Sequence, residues 1–271
     1  MPKFALTKQL SRGGRLGRTL LKRFIYTQMA MRSAFMIAIG REKPLLPFTV
    51  EQDPPSVYWV FCIKETEVAG LAAKLELPPR FSLCPIRCLT TDEPAHLLTL
   101  NVYRVSGLAN GIRAEWSVYV HDGDNVPRYM VVDARSSQMS MDPVDIITKS
   151  STVLHERVND TIRTQVGDSP TAFTCTMTIP SPAPPLVTAA AEWVTANDFI
   201  YWGNGICDRT FYGVGLANAR QRRWDSEGAV IQDLTPWGEL IEPDPVHILV
   251  FDEAIEFVVS PWENVDGAPV Q

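Results

Sequence analysis

At 271 residues the chain is long enough to bury a sizeable core, as one large domain or two small ones. With 45% hydrophobic and 21% charged residues it reads as a folded protein, and a net charge of −6 argues against nucleic-acid binding by the chain as a whole. Five cysteines are too few for a disulfide scaffold at this length and their odd number leaves one unpaired, so a reduced, cytoplasmic compartment is the simplest expectation.

The charge is unevenly spread. Met1 to Arg41 holds nine basic residues and no acid, while the remainder holds 16 basic residues against 31 acidic ones. Within this arm, Leu16 to Ile39 is predicted to be a helix: Leu16, Leu20 and Phe24 recur four apart, as do Leu21 and Ile25, and Pro44 and Pro47 end it. The runs Phe24–Met31 and Ser33–Gly40 are too short to cross a bilayer. Three roles stand for the arm, residues 1–46: packing or oligomerisation, contact with an anionic membrane surface, and organelle targeting. Phe24, Ile25, Phe35, Met36 and Ile37 make the helix apolar on more than one side, which favours a homo-oligomer.

Residues 47–271 have β texture. Val57–Ile63, Leu97–Val105, Arg113–Val120 and Arg128–Ala134 are strand runs, with Asn110-Gly111 and Asp122-Gly123 as hairpin turns. Thr161–Val166 and Thr171–Ile179 form another pair around Gly167-Asp168. The proline-rich Ile179–Pro185 is extended, Thr188–Asn197 is a candidate short helix, and His247–Val259 closes the chain as one or two strands. The expected fold is mainly β (α+β): an antiparallel, barrel-like sheet enclosing a cavity, with peripheral helices and the N-terminal helical arm.

Few motifs carry chemistry. Cys84, Cys88 and His96 lack the further spaced ligands of a zinc site, so no metal is expected, and the two thiols read as small buried apolar groups. Gly203-Asn204-Gly205 and Gly213-Val214-Gly215 do not extend to a dinucleotide or phosphate loop, and no cofactor is expected. Trp202, Asn204 and Asp208 form a polar-aromatic cluster that reads equally as a cavity mouth or a turn. Lysine is scarce after the arm: Lys43, Lys64, Lys74 and Lys149 are all there are. Lys149 is flanked by Ile146, Ile147 and small residues. Burial there would disfavour its ammonium and free an amine able to attack a carbonyl, whereas a solvated position would leave it charged.

The order of segments carries a resemblance. Leu77–Pro79 (LPP), NVYRV, RAEWSVYV, PRYMVVDA and ITKSSTVLHERVNDTIRTQV succeed one another from Leu77 to Val166, about a third of the chain. The tail DPVHILVFDEAIEFVV follows. This succession resembles the acetoacetate decarboxylase-like superfamily. In that family a lysine forms a Schiff base with a keto acid, and a second, adjoining lysine lowers its pKa. The resemblance implies that Lys149 is the nucleophile and Glu115 the active-site carboxylate. Here only one lysine stands at the motif, between Thr148 and Ser150, and Asn101 stands where the family tends to have a second acid. Both departures bear on decarboxylation itself.

The expected function is an enzyme acting on a small keto or β-keto acid, or a related carbonyl compound, by decarboxylase- or lyase-type Schiff-base chemistry at Lys149 and Glu115. Asn101, Arg128, Tyr129 and Tyr103 are the candidate substrate-binding residues. The rival reading is a cavity protein that binds a small apolar or acidic ligand without covalent chemistry. Each residue also has a plainer reading. Glu115 could face solvent on an amphipathic strand, Tyr103 and Tyr129 could simply pack, and Arg128 could pair with a surface acid.

Overall fold

The structure, a computed structural model, describes residues 48–77, 79–89, 92–106, 111–123, 127–137, 147–149, 152–167, 173–188, 198–203, 206–211, 220–224, 228–234, 236–259 and 261–264. The basic arm, including the expected helix Leu16–Ile39, and the expected helix after Thr188 lie outside them.

The strands appear in chain order as β1 (Phe48–Cys62), β2 (Phe81–Leu83), β3 (Leu97–Ser106), β4 (Gly111–Asp122), β5 (Pro127–Ser136) and β6 (Ile147–Lys149). They continue with β7 (Val153–Val158), β8 (Thr161–Val166), β9 (Phe173–Thr178), β10 (Val187–Thr188), β11 (Asp198–Gly203) and β12 (Ile206–Phe211). The last are β13 (Arg220–Trp224), β14 (Ala229–Leu234), β15 (His247–Phe251), β16 (Ile255–Val259) and β17 (Pro261–Asn264). A short helix, α1 (Val68–Lys74), follows β1 on the periphery.

Two sheets result. The large one runs β10-β13-β15-β1-β3-β4-β5-β11-β12-β17, with β16 also on β1, β2 on β4 and β6 on β5. The small one is an antiparallel meander, β14-β9-β8-β7. The large sheet is an open path among the described residues: its end strands, β10 and β17, are not paired with each other, so the ladder is not closed into a barrel. Nor is it wholly antiparallel. The outer edge of β5 takes two parallel neighbours, β11 along Tyr129–Val131 and β6 along Ala134–Ser136.

β1 is the hub. It pairs with β3 along one edge, and with β16 and β15 in succession along the other. Pro54 and Pro55 cannot donate to a ladder, and the register breaks there: three residues of β1, Pro54 to Ser56, stand opposite the single residue Tyr103. The small sheet props this bulge. His155 of β7 donates from Nε2 to the Pro55 carbonyl at 2.8 Å, and its Nδ1 accepts from the Thr164 hydroxyl at 2.8 Å.

Strand alternation divides the large sheet into two faces. Val57, Trp59, Phe61, Leu98, Leu100, Val102, Ala114, Trp116, Val118 and Met130 face the small sheet, whose Ile162, Phe173, Cys175 and Met177 complete one core. Phe173 sits between two indoles, with ring centroids 5.1 Å from Trp59 and 6.1 Å from Trp116. Tyr58, Val60, Tyr103, Tyr119, Tyr129, Val131, Leu249 and Phe251 belong to a second cluster on the opposite face. Among the described residues no helix is long and apolar enough to cross a membrane.

The neutral His155 has a consequence for acid stability. Burial is the main cause that pulls its pKa down to about 4, with the charge of Arg104 adding to it. The unfolded chain takes up a proton near pH 6.5 while the folded chain does not, so stability is full above that pH and falls between about 6.5 and 4. The full loss amounts to about 3 kcal/mol. Asp133 acts in the opposite sense, since burial raises its pKa and favours the protonated folded form. Urea titrations of native and His155→Gln protein at pH 7.5 and 4.5 are expected to show a steeper acid loss in the native chain. Equal losses would remove His155 as the cause.

Candidate active site

The second face of the large sheet is lined with polar groups that the ladder buries. On β3 they are Thr99 and Asn101, and on β4 Arg113, Glu115 and Ser117, all 5% exposed or less. Gln52 and Ser56 join them from β1. The reason is local. Each of these residues alternates with one that faces the apolar core, so holding Val102, Ala114 and Trp116 inward turns Asn101, Arg113 and Glu115 to the other side.

Cross-strand register sets their order. Tyr58 stands opposite Asn101, Asn101 opposite Glu115, and Glu115 opposite Ala134, which pairs with Ile147. The next row is Tyr103, Arg113, Ser136 and Lys149. The backbone of Lys149 thus lies in Arg113's row, two residues along the strand from Glu115's.

Glu115 and Arg113 form a buried ion pair, Oε1 to Nη1 at 3.3 Å, with side chains 7% and 4% exposed. Beside it is a hydrogen-bonded group. Gln52 Oε1 accepts from the Ser56 hydroxyl at 2.8 Å and from the Tyr58 hydroxyl at 3.2 Å, and Ser56 Oγ lies 3.5 Å from Asn101 Oδ1. Tyr119 and Tyr129 meet edge to face at 5.4 Å. Burial pushes the Tyr58 and Tyr129 phenols well above their ordinary range, and the Glu115 charge adds to both shifts. Both phenols therefore stay protonated near neutral pH and serve as donors. Thr99 Oγ1 and both amide atoms of Gln221 are buried without a hydrogen-bond partner among the described residues, so this side of the sheet retains unused polar capacity.

The arrangement offers a guanidinium for a carboxylate, phenol and amide groups for a carbonyl oxygen, and a carboxylate to move a proton. Asn101, Tyr103, Glu115 and Tyr129 are brought to one face. Arg128 is not. It precedes Tyr129 on β5 and pairs with Val120, which faces the apolar core, so the pleat turns it to the opposite side, where it is also buried. Arg113, Gln52, Ser56 and Tyr58 join the site from the structure. Arg113 and Glu115 share the i, i+2 spacing that marks one strand face. Tyr58 is hidden within the unbroken run VYWVFCI, which gives no period to read.

Among solved structures, the chain is similar to an acetoacetate decarboxylase-like enzyme from Sphingomonas wittichii RW1, with a TM-score of 0.50 and 9% identity. The match covers 81% of this chain and 92% of that one. The chain has the acetoacetate decarboxylase-like fold. No protein-family model and no curated protein matches the sequence.

Other groups lie apart from this face of the acetoacetate decarboxylase-like sheet. Burial pushes the Cys84 thiol up to about 11 and raises Cys88 further, so both are inert neutral groups at ordinary pH. His96 Nδ1 lies 3.3 Å from Glu65 Oε1. The side chains of Trp202, Asn204 and Asp208, like that of Lys149, lie outside the description. A concavity of about 610 Å³ opens beside His155 between Pro54, Pro55, Arg104, Arg157 and Asp252. Arg157 pairs with Asp252 at its wall.

Proposed function

We propose that the protein is a lyase that acts on a small keto or β-keto acid through a Schiff base at Lys149. The observation that carries this reading is the buried Glu115–Arg113 pair in the polar face of an acetoacetate decarboxylase-like sheet, with the backbone of Lys149 in the adjoining strand row.

The neutral amine of Lys149 adds to the substrate carbonyl carbon. The carbinolamine loses water to give an iminium, which is an electron sink. In a β-keto acid, the bond to the carboxylate breaks, carbon dioxide leaves, and its electron pair forms an enamine. Protonation at carbon and hydrolysis then release the ketone and restore the amine. Arg113 can hold the substrate carboxylate in its planar fork. The phenol of Tyr129 donates toward the carbonyl oxygen, and Glu115 carries protons. Asn101 supplies a hydrogen bond in this scheme but no proton transfer.

Reductive trapping tests this directly. The protein is incubated with each of a panel of keto acids and sodium cyanoborohydride, digested and analysed by mass spectrometry. An adduct on the peptide that holds Lys149 is expected. A panel without any adduct on Lys149 would overturn the covalent mechanism and leave a ligand-binding face.

A further inference from the structure

We infer that the concavity beside the Pro54–Ser56 bulge is a ligand site separate from the Lys149 chemistry, which takes a small molecule bearing a carboxylate or phosphate group and grips that group with Arg104. The inference does not rest on the Schiff-base reading. Arg104 stands opposite Ile112, which belongs to the core between the two sheets, so the pleat turns it away from the face that holds Tyr103, Arg113 and Glu115. A ligand on Arg104 therefore lies across the large sheet from the buried ion pair.

The walls of the concavity are held in place. Pro54 and Pro55 present rings and no amide donor. His155 is tied at both ring nitrogens, to the Pro55 carbonyl and to the Thr164 hydroxyl, each at 2.8 Å. Arg157 donates from Nε to the Asn159 carbonyl at 3.2 Å, and its Nη1 lies 3.3 Å from Asp252. A volume of about 610 Å³ suits a small molecule rather than a bare ion.

The charges around this space do not cancel. Asp252 is shared, since Arg157 meets its Oδ1 and Arg222 its Oδ2 at 2.7 Å, so one carboxylate serves two guanidinia. Glu156 also borders the concavity, but it alternates with His155 and Arg157 and stands opposite Arg163, which directs it to the outer face of the small sheet. Asp53 stands opposite Arg104 in the ladder, yet among the described residues no carboxylate forms an ion pair with Arg104. Burial, with the Arg104 charge as a lesser cause, holds His155 neutral at ordinary pH. What remains is an exposed guanidinium with an unused planar fork, set in the wall of a preformed space on a chain of net charge −6. Two parallel N–H donors of that fork match the oxygens of a carboxylate or a phosphate.

Isothermal titration calorimetry of the full-length protein, with succinate and separately with inorganic phosphate at constant ionic strength, tests this. At least one probe is expected to bind, and the tighter of the two names the acid group of the ligand. Arg104→Gln should weaken that binding by about ten-fold or more. Arg104→Lys keeps the charge but loses the fork, and should fall between the two. Arg163→Gln, on the outer face of the small sheet, should bind as the native chain does. No heat with either probe would overturn the inference. So would an affinity unchanged in Arg104→Gln, which would move the anion to another cation such as Arg113, or an equal weakening by Arg163→Gln, which would reduce the effect to general charge. If Arg104→Gln does not fold, Arg104→Lys decides: weaker binding supports the inference and native affinity overturns it.

Discussion

Lys149→Arg is expected to abolish keto-acid turnover, by at least about 10³-fold, and to reduce the trapped adduct to background. The substitution keeps the positive charge and most of the side-chain length, so electrostatic binding of an anionic substrate survives. What it removes is the deprotonated amine, because a guanidinium does not lose its proton in the accessible pH range. A thermal melt of the variant should stay within a few degrees of the native one, which separates lost chemistry from lost fold. Full turnover by Lys149→Arg on any identified substrate would exclude the imine route.

The second large effect concerns the buried ion pair. Glu115→Ala should destabilise the protein by about 3–5 kcal/mol, because it strands the Arg113 guanidinium in the sheet without its countercharge. The 3.3 Å contact is itself a modest bond; the cost comes from the charge left behind. The double variant Arg113→Met/Glu115→Leu should therefore recover most of the loss, since apolar groups of similar volume need no partner. Urea denaturation of the native, single and double variants measures both. A double variant no more stable than Glu115→Ala would show that the polar pair is needed for packing rather than charge balance. The same double variant should be inactive.

Much of the β-sheet was legible from residue order. β3, β4 and β5 alternate clearly and were expected as neighbouring hairpin strands; their register was not legible, since Val105 pairs with Gly111, His121 with Pro127, and β4–β5 shifts between Trp116 and Ser117. β8 and β9 were legible as a pair around Gly167-Asp168, and β15 with β16 as the closing apolar run His247–Val259. The first half of β1 was not, because Glu51, Asp53 and two prolines break the pattern; β3 and β16 hold it in the ladder from both sides. β13, with three arginines in RQRRW, carries no apolar period and is fixed by its pairing with β15. β6 is three residues long and gives no signal of its own.

The site divides along the same line. That Asn101, Tyr103, Glu115 and Tyr129 share one face was legible because a period-two stripe on strands with an apolar partner stripe defines a face. Arg128 and Tyr129 are sequence neighbours on one strand, and the pleat cannot send both to the same side. Gln52 and Ser56 reach the site across the Pro54–Ser56 bulge, whose offset has no counterpart in the local sequence pattern. Their role depends on tertiary pairing with residues about fifty positions away.

The central position of β1 has a bearing on biosynthesis. One of its edges is completed only by residues from His247 to Val259, far along the chain from β1. A ribosome must therefore release the chain past Val259 before that edge is covered. Until then the hydrophobic run Val57–Phe61 borders an open row of amide and carbonyl groups, which is a template for pairing with another nascent chain. Such non-local closure makes folding slow for a protein of this size. Truncation before His247 should give aggregated protein in expression trials, whereas chaperone co-expression should raise the soluble yield of the full-length chain.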